Sequence, residues 1–293
     1  MNHSAAEVAG AREVAGGVFV LTSGAYALNS GIVLGWQEGP ALLVDPGYFP
    51  GDLDRIAAFL DANGAGCPRI VLTHSDWDHV AGVARWPGAG VTASSAYPQR
   101  AAVAADAIHR SLADFDAKLY VRRTPPFSIP SPSSLVGSPS DMVWDGPAIR
   151  LLPAGGHTPD GLMVLVREHR VLFAGDHTSD LEIPFVGDSF ASYRDTLGRL
   201  RGLFTGGRAE ILVPGHGTVC GRGEALERID EDQEYLARLE SWIHETRRTV
   251  STLEGLLDRA DEVVFRKGWD NPEVRAGHCA NIALAARLHG IAG

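Results

Sequence analysis

The stretch Thr73-His74-Ser75-Asp76-Trp77-Asp78-His79 constrains this chain more than any other, because it places four metal-capable side chains within six residues. It follows a strand-like apolar run, Arg69-Ile70-Val71-Leu72. A strand that ends in a tight loop turns such groups outward together at the carboxyl edge of a sheet, where α/β folds bind ligands. His74 and Asp76 are two apart and share a face on extended backbone. Asp78 and His79 are adjacent and must diverge. That division suits two metal ions better than one. Imidazole and carboxylate without thiolate fit zinc, iron or manganese. Taken singly, each of these residues is an ordinary polar loop or cap residue, so the metal reading depends on partners elsewhere in the chain.

Those partners exist. Asp45 ends the apolar run Ala41-Leu42-Leu43-Val44. His157 sits in Gly156-His157-Thr158-Pro159, Asp176 in Leu172-Phe173-Ala174-Gly175-Asp176, and His216 in Val213-Pro214-Gly215-His216-Gly217. Together with the early loop they resemble the H-x-H-x-D-H pattern of the metallo-β-lactamase superfamily, with Asp76 in place of the second His. The resemblance runs from about residue 18 to about residue 220. It implies a mixed α/β fold, the four-layer αββα sandwich, with extra carboxyl-terminal helices. It also implies that His74, Asp76 and His157 hold a first divalent ion, that Asp78, His79 and His216 hold a second, and that Asp176 bridges them. Zinc is the first expectation, with iron or manganese as alternatives. A hydroxide bridging the metals would be the nucleophile. Asp78 and Asp176 are the carboxylates placed at the chemistry, with Asp78 handling a proton. Tyr193 is assigned either to steadying an oxyanion or to packing. Asp45 would hold the loops by hydrogen bonds.

The departure at Asp76 has an electrostatic consequence. Three carboxylates stand among the seven ligands, where the pattern has two. Two divalent ions would therefore keep one unit less positive charge, and the expectation is a harder first site with a less acidic bound water. His177 is a candidate outer contact and His278 a candidate returning to the metals.

Composition narrows the class. The chain has 293 residues, 45% hydrophobic and 21% charged, and a net charge of −10. No long basic run is present, which disfavours nonspecific nucleic-acid binding. No apolar run approaches the roughly 18 residues needed to cross a membrane. Met1–Glu7 lack a basic head and an apolar core, so no signal peptide is expected. The three cysteines, Cys67, Cys220 and Cys279, are scattered. They form no CxxC pair and suit a reducing cytoplasm.

Along the chain, Val18–Leu21, Ala25–Leu28 and Gly31–Leu34 read as strands, with Asn29-Ser30-Gly31 as a turn. Asp52–Ala62 reads as a helix, Val80–Trp86 as a short one and Pro98–His109 as an Ala-rich one. Residues 110–147 carry six prolines and read as a substrate-side insert. There Tyr120, Arg122, Arg123 and Phe127 are placed near an entrance, with the two arginines able to receive an anion. Leu162–Val166 and Arg170–Ala174 read as a hairpin. Ser189–Leu203 reads as a helix, and Ser251-Thr252-Leu253-Glu254 as a capping box. The expected division is a catalytic domain over 1–223 and a helical extension over 224–293 packed on it.

The expected activity is a metal-dependent hydrolase cleaving a carbonyl ester, thioester or lactone of a small molecule. The alternatives are a phosphodiester or sulfate ester hydrolase, an iron-dependent oxidative member of the fold, and a non-catalytic binding protein. No nucleic-acid or membrane partner is expected, and the oligomeric state is open.

Overall fold

The computed structural model describes residues 10–37 and 39–291. Met1–Glu7, read above for a leader, lie outside them. Two sheets carry the fold. The first runs in chain order: β1 (Arg12–Ala15), β2 (Val18–Thr22), β3 (Asn29–Val33), β4 (Leu42–Val44), β5 (Arg69–Val71), β6 (Val91–Ser94) and β7 (Ser134–Val136). The second comprises β8 (Ser140–Met142), β9 (Ile149–Pro153), β10 (Leu162–Val166), β11 (Val171–Phe173), β12 (Ile211–Val213) and β13 (Cys220–Gly221), with neighbours again consecutive.

Strand alternation builds the layers. Val18 and Val20 of β2, Leu42 and Val44 of β4, and Val71 of β5 meet Val164, Val166, Phe173 and Val213 in a core between the sheets. The intervening residues Phe19, Leu21, Leu43 and Ile70 point the other way, against Ile56, Phe59 and Leu60 of helix α1 (Pro50–Ala62). In the second sheet, Met163, Leu165, Leu172 and Leu212 also turn away from the inter-sheet core. The period of two thus makes each sheet apolar on both faces, as a covered central sheet requires. Burying one such leucine contributes about 1.5–3 kcal/mol.

Helix α2 (Trp77–Val80) opens directly from the metal loop and passes into a 3-10 turn over Ala81–Arg85. The helix expected over Val80–Trp86 is therefore this tighter turn. The Ala-rich segment forms two helices, α3 (Tyr97–Val103) and α4 (Ala105–Lys118), and α4 takes up the first part of the supposed insert. The rest of 110–147 is not a plain loop either, since it supplies β7 and β8. These strands end one sheet and begin the next, so the segment is the crossover of the sandwich. Proline and serine density hid short edge strands. Ala25–Leu28 is a turn, with Tyr26 and Ala27 at positive φ, and Asn29–Ser30 begin β3 rather than turning. The hairpin β10–β11 forms as expected.

The remaining helices are α5 (Phe190–Thr205), α6 (Arg222–Thr246), α7 (Leu253–Leu257) and α8 (Pro272–Leu288). Leu197 and Leu200 of α5, Ile229 and Leu236 of α6, and Ile282 of α8 share one apolar cluster with Leu172 and Leu212 of the second sheet. Ser189 caps α5, and Asn271 caps α8 ahead of Pro272. Thr252, rather than Ser251, accepts the capping bond of α7. No helix among the described residues is long and apolar enough to cross a membrane.

Candidate metal centre

Strand direction brings the site together. β4 and β5 are parallel, and β9 and β11 run alike because each is antiparallel to β10. β12 is parallel to β11. The loops after β5, β9, β11 and β12 therefore open at one edge, carrying His74–His79, His157, Asp176 and His216. The two sheets are tied there by main-chain bonds, from Leu162 N–H to the Thr73 carbonyl (2.7 Å) and from Asn29 N–H to the Gly215 carbonyl (2.7 Å). The Asn29 amide also donates to the carbonyls of Pro214 and Gly217, 2.9 Å each, which anchors the His216 loop.

Asp176 is the common neighbour. Its Oδ2 lies 3.5 Å from His74 Nε2, 3.4 Å from His157 Nε2 and 3.6 Å from His216 Nε2. Its Oδ1 lies 3.2 Å from His79 Nε2. Asp76 Oδ2 faces His157 and His74 at 3.2 and 3.4 Å. Asp78 Oδ2 faces His216 and His79 at 3.1 and 3.8 Å. Ligand atoms of His74, His157 and Asp176 converge as one group, and those of Asp78, His79 and His216 as another. Close approach is possible because position 215 has no side chain. A Cβ on Gly215 would meet Asp176 Oδ1 at 2.0 Å.

Every imidazole is oriented from behind. Nδ1 of His79 bonds Asp45 Oδ2 at 2.8 Å, that of His157 the Phe185 carbonyl at 2.9 Å, that of His216 the Tyr26 carbonyl at 2.7 Å, and that of His74 the Thr73 hydroxyl at 3.0 Å. With Nδ1 engaged outward, Nε2 is in all four rings the nitrogen turned to the carboxylates, the arrangement in which histidine ligates metal. Asp45, at φ 47°, also accepts from the Thr73 N–H at 2.8 Å and the Thr73 hydroxyl at 2.6 Å. It thus locks the loop internally, without facing the cluster.

The electrostatics also fit cations. Burial alone would discharge these groups, but their proximity reverses it. Burial and His79 oppose protonation of His74, yet Asp176 and Asp76 lift its pKa to about 9. Burial opposes it at His216, and Asp176 and Asp78 lift that ring to about 10. Against burial, the imidazoles hold Asp76, Asp78 and Asp176 below the usual carboxylate range. Buried His74 Nε2, His79 Nε2 and Asp176 Oδ1 have no hydrogen-bond partner. A buried, negatively biased set of nitrogen and oxygen donors with unsatisfied atoms turned inward suits divalent ions.

Other sequence candidates lie elsewhere. Tyr193 is 1% exposed and its hydroxyl donates to the main-chain carbonyl of Asp176 at 3.3 Å. It supports the loop that carries Asp176, the packing role of the two assigned to it. His177 is buried against Tyr193, with Nδ1 on the Ala174 carbonyl at 3.1 Å, and burial pushes its pKa down to about 3. His278 does not return to the metals. It bonds the Tyr235 hydroxyl (2.8 Å) and the Ala260 carbonyl (3.1 Å) among the last helices. Trp77 packs as a wall with Tyr26, Tyr48 and Phe115. Arg123 is not free for an anion, because Asp116 and the Tyr48 carbonyl hold it. Arg122, with Arg85 and Phe127, lines a separate 640 Å³ groove.

Two residues escaped the sequence reading. Arg100, on α3, is ion-paired with Asp76. Glu182, on the loop after Asp176, is raised to about 7 by burial, with His216 drawing it back down. Neither belongs to a local motif, so only the loop-to-helix contacts reveal them.

Among solved structures, the fold is similar to the stereoselective inverting sec-alkylsulfatase of a Pseudomonas species, at 17% identity and TM-score 0.70, over 96% of this chain and 50% of that one. A second structure of that sulfatase gives a TM-score of 0.71 over 53% of its length. The chain thus spans about half the length of these sulfatase structures. It is also similar to a metallo-beta-lactamase family protein from Thermus thermophilus, at 19% identity and TM-score 0.64, over 94% of this chain and 95% of that one. A beta-lactamase domain protein from Burkholderia ambifaria gives 19% identity and TM-score 0.64, over 97% and 89% of the two chains. Comparison with curated proteins gives no match. The family profile matches residues 25–216, most of the chain and every residue of the metal cluster. With the two covered sheets and the shared loop edge already in place, this chain belongs to the metallo-beta-lactamase superfamily.

Proposed function

We propose that the protein is a binuclear metal-dependent hydrolase of a small-molecule ester. The observation that carries this reading is the reach of Asp176, whose two carboxylate oxygens lie between 3.2 and 3.6 Å from the Nε2 atoms of all four histidines. His74, Asp76 and His157 would hold one ion, Asp78, His79 and His216 the other, and Asp176 would join both. Zinc suits the histidine-rich set, and the three carboxylates also admit iron or manganese. Bound divalent ions would supply Lewis acidity, which lowers the pKa of a coordinated water to about 7 and polarises the scissile group. The chain's part is to keep the donors in place and limit water. Asp45, Thr73, Phe185 and Tyr26 fix the imidazoles, while Trp77 packs the metal loop against Tyr26, Tyr48 and Phe115. Asp78 is the carboxylate that would take or return a proton.

A carbonyl ester, thioester or lactone is the substrate class this reading takes first. A sulfate ester is the second, favoured by the likeness of the sec-alkylsulfatase structure over 96% of this chain. The test is elemental analysis of the purified protein, coupled to a panel of ester, thioester, lactone, β-lactam, phosphodiester and alkyl sulfate substrates. About two metals per chain and a hydrolysis abolished by chelation and by Asp176→Ala are expected. Fewer than one metal per chain, after addition of zinc, iron or manganese in turn, would overturn the proposal.

A further inference from the structure

We infer that Arg100 neutralises Asp76, so that the Asp76–Arg100 pair stands electrically where a neutral histidine stands in the H-x-H-x-D-H pattern. This inference rests on the metal-centre reading above. Helix α3 delivers Arg100 to the outer side of the metal loop. One terminal guanidinium nitrogen pairs with Asp76 Oδ1, and the other donates to Ser75 Oγ at 2.9 Å. Asp76 Oδ2 is left facing His157 and His74. The two oxygens of Asp76 are thus divided, one toward the arginine and one toward the imidazoles.

The division answers the charge problem that the substitution creates. A carboxylate in place of an imidazole adds one negative charge to the ligand set. A guanidinium, always protonated, returns it within the next layer of contacts. The Arg100 side chain is 19% exposed and Asp76 is 29% exposed, so their field is only partly screened by solvent. Asp160, 0% exposed, lies 4.0 Å from Arg100 Nε and neither of its oxygens has a hydrogen-bond partner. It is a second carboxylate facing the guanidinium, at Nε rather than at the terminal nitrogens that meet Asp76 and Ser75. Tyr97, on the same helix, is also buried nearby with an unpartnered hydroxyl. Arg100 is therefore a positioning residue. It sets which oxygen Asp76 offers, and how positive the first site remains.

The prediction has the form of a charge cycle. The protein and its variants are loaded with Co(II), and the pH midpoint of the visible absorption change is measured. Removing the cation with Arg100→Gln should raise the midpoint by about one pH unit, and Asp76→His should lower it by a similar amount. The Asp76→His/Arg100→Gln double variant should return to within a few tenths of the parent. Arg100→Lys, which keeps the charge, should stay near the parent. Repeating the cycle on an Asp160→Asn background, which removes the second carboxylate facing Arg100, should give the same pattern. If Arg100→Gln does not fold, Asp76→His against the double variant carries the same expected one-unit step. Cobalt bound with no movement between the paired variants would overturn the role of Arg100 and leave the metal centre standing. A parent protein that binds no cobalt would overturn both.

Discussion

Asp45 accepts a 2.8 Å hydrogen bond from His79 Nδ1, and the same carboxylate accepts from both the main chain and the hydroxyl of Thr73. One buried side chain thus fixes a ring tautomer, a loop conformation and the direction in which His79 Nε2 points. Removing it should separate metal binding from the fold. Asp45→Asn should weaken occupancy of the site held by Asp78, His79 and His216 by about 10–100-fold. It should also cost about 1–3 kcal/mol for the Thr73 groups left poorly satisfied. A competition titration against a chelator reads the first effect, and urea unfolding reads the second.

Gly215 marks how tightly the loops are drawn in. A Cβ there would fall 2.0 Å from Asp176 Oδ1, whereas a Cβ at Gly198, on the exposed side of α5, meets nothing within 4 Å. Gly215→Ala should destabilise by about 1–3 kcal/mol through overpacking and displace Asp176, lowering bound metal. Gly198→Ala should stabilise by about 0.5–1 kcal/mol through helix propensity alone. Thermal unfolding and metal content, measured on both variants, check the contrast.

One buried amide ties helix α8 to the loop that orients His157. Asn281 on α8 accepts from the Val186 N–H at 2.9 Å and donates to the Pro184 carbonyl at 2.6 Å. Between them, the Phe185 carbonyl holds His157 Nδ1 at 2.9 Å. Asn281→Ala leaves two buried main-chain groups unpaired, at about 1–3 kcal/mol each. The melting temperature should fall, and the added stability conferred by zinc should shrink as His157 loses its support. A variant that melts lower yet gains as much from zinc as the parent would disconnect α8 from the metal centre.

Asp232, buried on α6, is raised to about 6 by burial, with Lys267 at 2.7 Å drawing it back. Between about pH 4 and 6 the unfolded chain has lost this proton while the folded chain keeps it. The unfolded state then binds fewer protons, so this group's contribution to stability falls as pH rises through that window, by at most about 3 kcal/mol. Asp232→Asn removes the titration. Its melting temperature relative to the parent should therefore climb from pH 4 to pH 6 and level off above. A difference that is flat across the window would contradict the assignment.

Periodicity and local chemistry carried much of this protein in the sequence. The alternating valines and leucines of β2, β4 and β10 declare buried strands, because side chains alternate across a sheet whatever it packs against. The early loop from His74 to His79, and then His157, Asp176 and His216, stand out because each comes shortly after an apolar run, where a strand must stop. Three-dimensional contact decided the rest. The strands β7 and β8 lay hidden among prolines, since an edge strand is defined by the neighbour it pairs with. Tyr193 and His278 carry reactive groups, but burial against Asp176 and Tyr235 turned them to support. Arg100 is one arginine in an Ala-rich helix until α3 lays it on Asp76. Charge compensation acts through space, and spacing along the chain does not record it.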